Sequence, residues 1–178
     1  MNHPQINEVI IVAHVEWVDH VKENYPICKV VKGGNSRQES VKNGLKTCSN
    51  NSTQILIHDA ARPMISSKII TSCITALKNA DGVAPIIDSS NSLVEWDGQN
   101  ATFIDRDKIK EVQTPQCFKK EVIQKALDMR IEATDEIGVV LKSKVTHIID
   151  FVRGSHENVK ITQRKDIENL QLYFQNQL

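Results

Sequence analysis

The stretch ILIHDAARP, residues 55 to 63, places an acid, a base and a guanidinium within five positions of the end of an apolar run. A carboxylate such as Asp59 at the end of a strand suits a sugar hydroxyl or Mg²⁺. The guanidinium of Arg62 offers the planar fork that matches a phosphate group. Two interpretations are open at this point: a ligand site, or an ion pair between Asp59 and Arg62 within a loop.

A second candidate is KGGNSRQESV, residues 32 to 41. Its two glycines would let a ligand approach the backbone, whose N–H groups and the Ser40 hydroxyl could then form hydrogen bonds with it. The same residues also fit a tight turn and a helix cap, because Glu39 follows Ser36 by three positions. On spacing alone, the turn and cap are favoured.

Lys160 in ENVKIT, residues 157 to 162, also has two interpretations. Flanked by Val159 and Ile161, it could be a partly buried ammonium directed at phosphate. Alternatively, the segment is a loop whose Thr162 caps the last helix.

Two other motifs are interpreted structurally. QTPQ, residues 113 to 116, fits a plain turn, since Pro115 fixes φ and argues against a central strand there. TDEIG, residues 134 to 138, fits a helix start in which Thr134 is the cap and two acids suit the helix dipole.

The elements that would position these residues alternate between strands and helices. Apolar runs predict strands in 8–14, 28–34, 54–59 and 82–88, with helices at 16–24, from Ser36 and in 66–80. This βαβαβ order predicts an α/β fold: a Rossmann-like, mostly parallel sheet with helices on both faces. Ligands collect at the carboxyl ends of strands in such sheets, and three of these ends carry polar residues: 33–40, 58–62 and 85–89.

The second half of the chain breaks this alternation. Residues 92–105 hold two short strand-like runs around Asp97-Gly98, which predicts a hairpin that protrudes as a β-arm. Helices at about 119–129 and 135–143, a strand at 146–152 and a closing helix complete the prediction. The closing helix should direct Ile167, Leu170 and Phe174 inward.

Composition limits the function classes. The 178 residues suit a single domain, 1–178, and the 22 basic and 22 acidic residues balance, which gives no push toward nucleic acid or an anionic membrane. The four cysteines form no CxxC pair, and no segment has the length or apolarity of a membrane span. We therefore expect a cytoplasmic protein with free thiols.

Taken together and in order, these motifs resemble those of a known family. GGNSRQESVKNGL, HDAARP, APIIDSSNSL, IDRDKI, QTPQCF, TDE and ENVKIT are similar to the motifs of the 2-C-methyl-D-erythritol 4-phosphate cytidylyltransferases of the non-mevalonate isoprenoid route. The ribitol 5-phosphate cytidylyltransferases share much of the pattern. They more often have Val in place of Ala61 and lack the TDE form, so they are the second alternative.

The resemblance implies a site for CTP and Mg²⁺. Gly34, Asn35 and Ser40 correspond to the loop that reads cytosine, and Asp59 to the acid near the ribose and Mg²⁺. Lys160 corresponds to the lysine that stabilises charge on the reacting phosphates. Asp59, Lys160 and Arg62 are the expected catalytic residues.

The resemblance also implies a site for a polyol phosphate. Arg62, Asp88 and Thr114 correspond to positions that bind this substrate, and Ser89 stands where the family usually has Thr. Arg106 corresponds to an arginine on an arm, here about residues 86–107, which reaches across a homodimer into the partner's site.

One expected difference concerns the beginning of the chain. MNHPQINEVIIVAH resembles the family's second strand, so its first βα unit, with an AAGxGxRM loop and a PKQ segment that hold the triphosphate, is expected to be absent. We expect the chain as given to have base and acceptor pockets but little or no transferase activity. A misplaced start and a shortened gene, whose product would be a non-catalytic remnant or a dimerising module, are both open alternatives.

Overall fold

The computed structural model describes residues 3–145 and 147–175, and Thr146, the first residue of the predicted strand 146–152, lies outside them. The first half contains β1 (Ile10–Ala13), α1 (Val18–Asn24), β2 (Lys29–Lys32), α2 (Arg37–Thr47), β3 (Gln54–Ile57), α3 (Ser67–Ala76) and β4 (Gly82–Asp88). The second half contains β5 (Leu93–Trp96), β6 (Ala101–Ile104), β7 (Lys110–Val112), β8 (Gln116–Lys119), α4 (Lys120–Asp128), α5 (Glu136–Lys142), β9 (Ile149–Arg153) and α6 (Arg164–Gln175).

In the five-stranded sheet, β8 lies between β3 and β4, β7 pairs with the same edge of β4 as β8, and β9 pairs with the other edge of β4. Helices cover both of its faces, which confirms the α/β prediction. The expected parallel direction holds for β3, β4 and β9, which run the same way, and the exceptions are β7, which is antiparallel to β4, and β8, which is central and antiparallel to both β3 and β4. The physical reason is the route of the chain: it leaves β4 through the hairpin and returns directly, without the crossover helix that a parallel strand requires.

β7 and β8 follow each other along β4, with an interruption at Gln113–Pro115. From Val112 to Cys117 the chain advances five residues, while the facing part of β4 advances only three, from Ile86 to Val83. Two residues therefore bulge out of the ladder, as often occurs beside active sites. The predicted interruption at Pro115 is confirmed, since Pro115 lies outside both strands, and β8 begins one residue later, at Gln116.

The core lies on both faces of this sheet because successive strand residues point to opposite sides. Ala84 and Phe118 pack with α4 and α5 on one face, and Val83 and Cys117 pack with α3 on the other. α2 contributes Leu45 to the first cluster, against which Val41 and Cys48 also pack, since the three residues lie on one face of the helix.

The predicted cap at α2 is present, whereas those at α5 and α6 are not: α6 begins at Arg164, and the Thr162 hydroxyl donates a hydrogen bond to Asp166 Oδ2 at 3.1 Å instead of capping the helix. The Ser36 hydroxyl accepts a hydrogen bond from Glu39 N at 3.1 Å. At α5, however, the N-cap is Asp135 and not Thr134, because the Asp135 carboxylate accepts a hydrogen bond from Gly138 N at 2.8 Å. A carboxylate in extended backbone is among the best caps, and here it is one position later than expected.

The prediction for α6 was wrong in its packing. Ile167 and Phe174 are 46% and 52% exposed, and the helix has no buried residue. Hydrophobic periodicity identifies an apolar face, but it carries no information on what covers that face.

No helix in the described part of the chain is long and apolar enough to cross a membrane.

The predicted hairpin is present and protrudes from the sheet. β5 and β6 pair only with each other among the described residues, in an antiparallel ladder that runs from Leu93–Ile104 to Trp96–Ala101. Gly98, with φ of 102°, provides the left-handed turn, and the Asp97 carboxylate accepts hydrogen bonds from the backbone N–H groups of Gln99 and Asn100.

β1 and β2 form a separate parallel pair, on which α2 packs. The residues that the structure describes provide no strand between this pair and β3, and the expected absence of a first βα unit stays a prediction. Glu8, just before β1, connects β2 to the loop between α2 and β3. Its carboxylate pairs with Lys29 of β2 and accepts hydrogen bonds from Ser49 N at 3.0 Å and Ser49 Oγ at 2.9 Å in that loop. These contacts, the one with Lys29 foremost, lower the pKa of Glu8 to about 2.

The Glu8 carboxylate should make the stability of the fold sensitive to acid. Because its pKa is lowered on folding, its contribution is fully present above the unfolded pKa of 4.5 and is lost as the pH falls toward 2. We expect Glu8→Gln to lower the free energy of unfolding by about 1–2 kcal/mol at pH 7 and by much less near pH 2. Urea unfolding at a series of pH values measures this, and an equal loss at all pH values would contradict it.

Candidate functional site

Asp59 lies two residues beyond the end of β3 and is held by two cations from distant segments. Lys160 Nζ, in the loop between β9 and α6, lies 2.8 Å from Asp59 Oδ2. Arg37 Nη2, in the first turn of α2, lies 3.2 Å from Asp59 Oδ1. Partial burial raises the pKa of Asp59, but the hydrogen bond with Lys160 and the charge of Arg37 outweigh burial and hold the pKa below its usual value. Asp59 is therefore an ionised acceptor at neutral pH.

The other partner of Arg37 is Glu136, at the start of α5. Arg37 Nη1 lies 2.5 and 2.7 Å from the two carboxylate oxygens of Glu136, whose side chain is almost fully buried. Burial raises the pKa of Glu136, and the hydrogen bond and charge of Arg37 oppose this rise. From the sequence, the two acids of TDEIG were assigned to the helix dipole, and the ion pair of Glu136 with Arg37 was not predicted. The available signal was position, because Glu136 shares a helix face with the buried Val139 and Val140, where an acid requires a partner.

The bulge between β7 and β8 brings Thr114 against the end of β3. Thr114 Oγ1 accepts a hydrogen bond from Asp59 N at 3.1 Å and lies 2.9 Å from His58 Nδ1. His58 Nε2 lies 3.0 Å from the Arg62 carbonyl oxygen, which can only accept. Burial lowers the pKa of His58 and favours the neutral ring. The consistent assignment is that Nε2 donates to Arg62 and that the Thr114 hydroxyl donates to Nδ1.

Arg62 does not form the ion pair with Asp59 that the loop interpretation required. Its Nη1 instead donates a hydrogen bond to the Asn158 carbonyl oxygen at 2.6 Å, and the Asn158 side chain donates to the Thr114 carbonyl oxygen at 2.9 Å. Gln113 Nε2 donates to the Ser155 carbonyl oxygen at 2.8 Å. Asn158, which is fully buried, and Gln113 thus fasten the loop that carries Lys160 to the bulge. Neither Asn158 nor Gln113 was predicted from the sequence to have this role.

The glycine-containing turn before α2 is already closed by its own hydrogen bonds. Gly34 N donates to Ser40 Oγ at 3.0 Å, and Asn35 N donates to Glu39 Oε2 at 2.7 Å. A Cβ at Gly34 would lie 2.2 Å from Glu39 Cγ, so the close approach here is between the turn and its helix. A ligand would have to replace these N–H partners or use other groups of the turn.

The remaining predicted site residues lie at the base of the arm. Asp88 pairs with Lys110 at 2.6 Å, and this contact lowers the pKa of Asp88. Arg106 Nη1 donates to the Ser90 carbonyl oxygen at 3.1 Å, and Ser89 is buried. No hydrogen bond or ion pair within 3–145 and 147–175 joins Asp88, Ser89 or Arg106 to Asp59.

Asp59 does not fit a metal ion in this arrangement, because Arg37 and Lys160 engage its two oxygens. Among the residues that the structure describes, no three His, Cys, Asp or Glu side chains cluster as metal ligands do. A separate groove of about 670 Å³ lies at the amino-terminal ends of β1, β2 and β3. It is lined in part by Asn7, Cys28 and Asn51 and by none of the predicted site residues.

The sequence and the fold were compared with those of known proteins. The profile of IspD, 2-C-methyl-D-erythritol 4-phosphate cytidylyltransferase, matches residues 1–176. The chain belongs to this family. The cytidylyltransferase of that name from Clostridium acetobutylicum is 36% identical, over 92% of this chain and 76% of the relative. The one from Clostridium novyi is 34% identical, over 91% of this chain and 74% of the relative.

Solved structures of the cytidylyltransferase family agree. The 4-diphosphocytidyl-2C-methyl-D-erythritol synthase from Anaerococcus prevotii superposes with a TM-score of 0.92 at 26% identity, over 98% of this chain and 81% of that chain. The bifunctional IspDF from Campylobacter jejuni superposes with a TM-score of 0.79 at 26% identity, over 92% of this chain and 42% of that chain. The family resemblance of the sequence motifs is thereby confirmed.

Proposed function

We propose that this protein transfers the cytidylyl group of CTP to 2-C-methyl-D-erythritol 4-phosphate and releases pyrophosphate. Its family and its relatives carry the name of this reaction. The observation in the structure that carries the proposal is the pair of Asp59 and Lys160, which come from segments 101 residues apart and meet at the end of β3. When a nucleotide binds, the Lys160 ammonium that Asp59 holds there can form an ion pair with a phosphate.

The reaction requires positioning and charge stabilisation more than covalent chemistry. An oxygen of the acceptor phosphate attacks the α-phosphorus of CTP, a new P–O bond forms, and the bond to the leaving pyrophosphate breaks. Lys160 would stabilise the charge that develops on the α-phosphate oxygens, and Asp59 would hold Lys160 in place and contact the ribose. Neither role requires a protein nucleophile.

The other predicted residues divide between the two substrates. Gly34, Asn35 and Ser40 would contact the cytosine, while Arg62, Asp88, Ser89, Thr114 and Arg106 would contact the acceptor. Mg²⁺ remains a prediction and would arrive with the triphosphate, since it commonly uses substrate phosphates as ligands. A cytoplasmic location also remains a prediction, supported by the four free cysteines.

The test is an assay of the purified chain with CTP, Mg²⁺ and either methylerythritol phosphate or ribitol phosphate. Pyrophosphate release with the first acceptor supports the proposal, and release with only the second supports the alternative substrate. Calorimetry with CTP provides a second measurement. Binding without turnover supports a binding module, and turnover regained with an added amino-terminal segment supports the enzyme; a chain that neither binds nor reacts contradicts both.

We further propose that residues 1–178 form one domain that dimerises through the arm at about 86–107. Val94, Trp96 and Phe103 are 61%, 61% and 74% exposed. Val94 lies opposite Phe103 in the ladder, and Trp96 lies two residues after Val94 in the same strand. All three side chains therefore point to the same face of the hairpin. A two-stranded hairpin is marginally stable alone, and cover by a second copy would bury this face. The partner's arm would then place Arg106 near the acceptor.

Phe103→Asp should disrupt this dimer. An aspartate in place of a phenylalanine in an apolar interface is expected to weaken association at least about 100-fold, because it removes apolar contact and buries a charge. Analytical ultracentrifugation measures the change. The matched control is Phe174→Asp on α6, and equal dimerisation of the wild type and Phe103→Asp would contradict the proposal.

A further inference from the structure

Four side chains of alternating charge form a continuous series of ion pairs, the charge series, across the candidate site. In order they are Glu136, Arg37, Asp59 and Lys160, from the start of α5, the start of α2, the end of β3 and the loop before α6. Arg37 is the only member of the four that contacts two carboxylates. Two positive and two negative groups balance, so the charge series has no net charge.

The burial of the four side chains shows which end of the charge series is fixed. The Glu136 side chain is 2% exposed, whereas those of Arg37 and Lys160 are 37% and 43% exposed. The start of α5 is itself fastened to the central strand, because Gln116 Nε2 donates to Asp135 Oδ2 and Gln116 Oε1 accepts from Ile137 N, each at 2.9 Å. Glu136 is therefore a rigid anchor for a more exposed guanidinium.

The geometry at Arg37 uses the planar fork of the guanidinium. Nη1 serves both oxygens of Glu136, while Nη2 and Nε, at 3.2 and 3.4 Å, face a single oxygen of Asp59. This leaves the other oxygen of Asp59 for Lys160. A lysine in place of Arg37 would present one compact ammonium, which could neutralise Glu136 but could not hold Asp59 in the same way.

We propose that Arg37 is a positioning residue, which is anchored by the buried Glu136, fixes the Asp59 carboxylate and, through Asp59, orients the Lys160 ammonium. The proposal rests on the cytidylyl-transfer function only for the choice of CTP as the ligand. The alternative is a purely structural ion pair that ties α2 to α5. The two differ in what the loss of the fork does to Asp59.

The ionisation of Asp59 gives a direct readout of this difference. The charged or titratable groups that face Asp59 are Arg37 and Lys160 in contact, with His58 and Arg62 nearby. If Arg37 fixes Asp59, then Arg37→Gln should raise the pKa of the Asp59 carboxyl, because it removes the cation beside Oδ1. A tie that serves only to join α2 to α5 predicts a lower melting temperature, with the pKa of Asp59 in Arg37→Lys the same as in the wild type, because the lysine keeps the positive charge beside Asp59.

The experiment compares the wild type with Arg37→Gln and Arg37→Lys, and with the control Arg164→Gln at the start of α6. Carbon-detected NMR follows the Asp59 carboxyl, calorimetry measures CTP binding, and thermal unfolding reports stability. Arg37→Lys guards against a glutamine variant that fails to fold, because it keeps a charge beside Glu136. We expect Arg37→Lys to unfold near the wild-type temperature, yet with a raised Asp59 pKa and about tenfold weaker CTP binding.

Unchanged titration of Asp59 in the folded variants would overturn the proposal, as would full recovery of the titration and of CTP binding by Arg37→Lys. Equal effects of Arg164→Gln would also overturn it, since the change would then be nonspecific. If the wild type binds no CTP, the proposed function fails, while the titration of Asp59 still decides the role of Arg37.

Discussion

Replacing Lys160 with alanine should lower kcat/KM for cytidylyl transfer by about 10²- to 10³-fold, the usual effect of removing one preorganised donor from a developing negative charge. The reason lies in the contact of Lys160 with Asp59 at 2.8 Å, which holds the ammonium at the end of β3. Because the same ammonium would contact the triphosphate before reaction, CTP binding should also weaken about tenfold.

The measurement combines pyrophosphate release with calorimetry, so the effect on binding is visible whatever the turnover. Lys165→Ala, five positions further on and in the first turn of the exposed α6, is the matched control and should behave as the wild type. Lys160→Arg keeps a cation at the site and should lose less than the alanine variant. Normal CTP binding and turnover in Lys160→Ala would remove Lys160 from the site.

Phe118→Ala should cost the fold about 3–5 kcal/mol of unfolding free energy, a large share of the 5–15 kcal/mol of a typical domain. Phe118 is 0% exposed on the central strand β8 and belongs to the larger of the two core clusters. Its ring also packs against Gly82, where an added Cβ would lie 2.9 Å from it. Truncation therefore leaves a cavity in a place where the surrounding strands cannot close in.

Urea unfolding gives the free energy, and Phe174→Ala on the half-exposed face of α6 is a control of the same chemistry, expected to lose less than about 1 kcal/mol. If Phe118→Ala does not fold, Phe118→Leu keeps most of the volume and should cost about 1–1.5 kcal/mol. A loss below about 1 kcal/mol in Phe118→Ala would show that β8 is less central to stability than its burial indicates.

Local sequence signals predicted the individual elements well because the information is contained in neighbouring residues. Ser36 and Glu39 predict the start of α2, Asp97-Gly98 predicts the hairpin, and both appear in the structure. The cap at α5 was misplaced by one position, since Thr134 and Asp135 are both good caps and only the backbone conformation decides between them.

Relations between distant segments were harder to predict. Asp59 and Lys160 were both selected from the sequence as site residues, but no local pattern predicts that their side chains are in contact. The pair of Arg37 and Glu136 was missed entirely, because 99 residues separate its members and each fits its own helix start without the other. Sequence periodicity likewise revealed the apolar face of α6 but not that this face is left exposed.

The sequence by itself determined the α/β class, the order of most elements, the hairpin and the family, because hydrophobic period, turn residues and ordered motifs are local properties of the chain. Only the tertiary structure decided that β8 enters the centre of the sheet in the antiparallel sense and that the bulge at Gln113–Pro115 carries Thr114 to His58 and Asp59. It also decided that Arg37 joins Asp59 to a buried Glu136. These arrangements depend on strand pairing and on the burial of charge, which arise only when segments far apart in the chain are packed together.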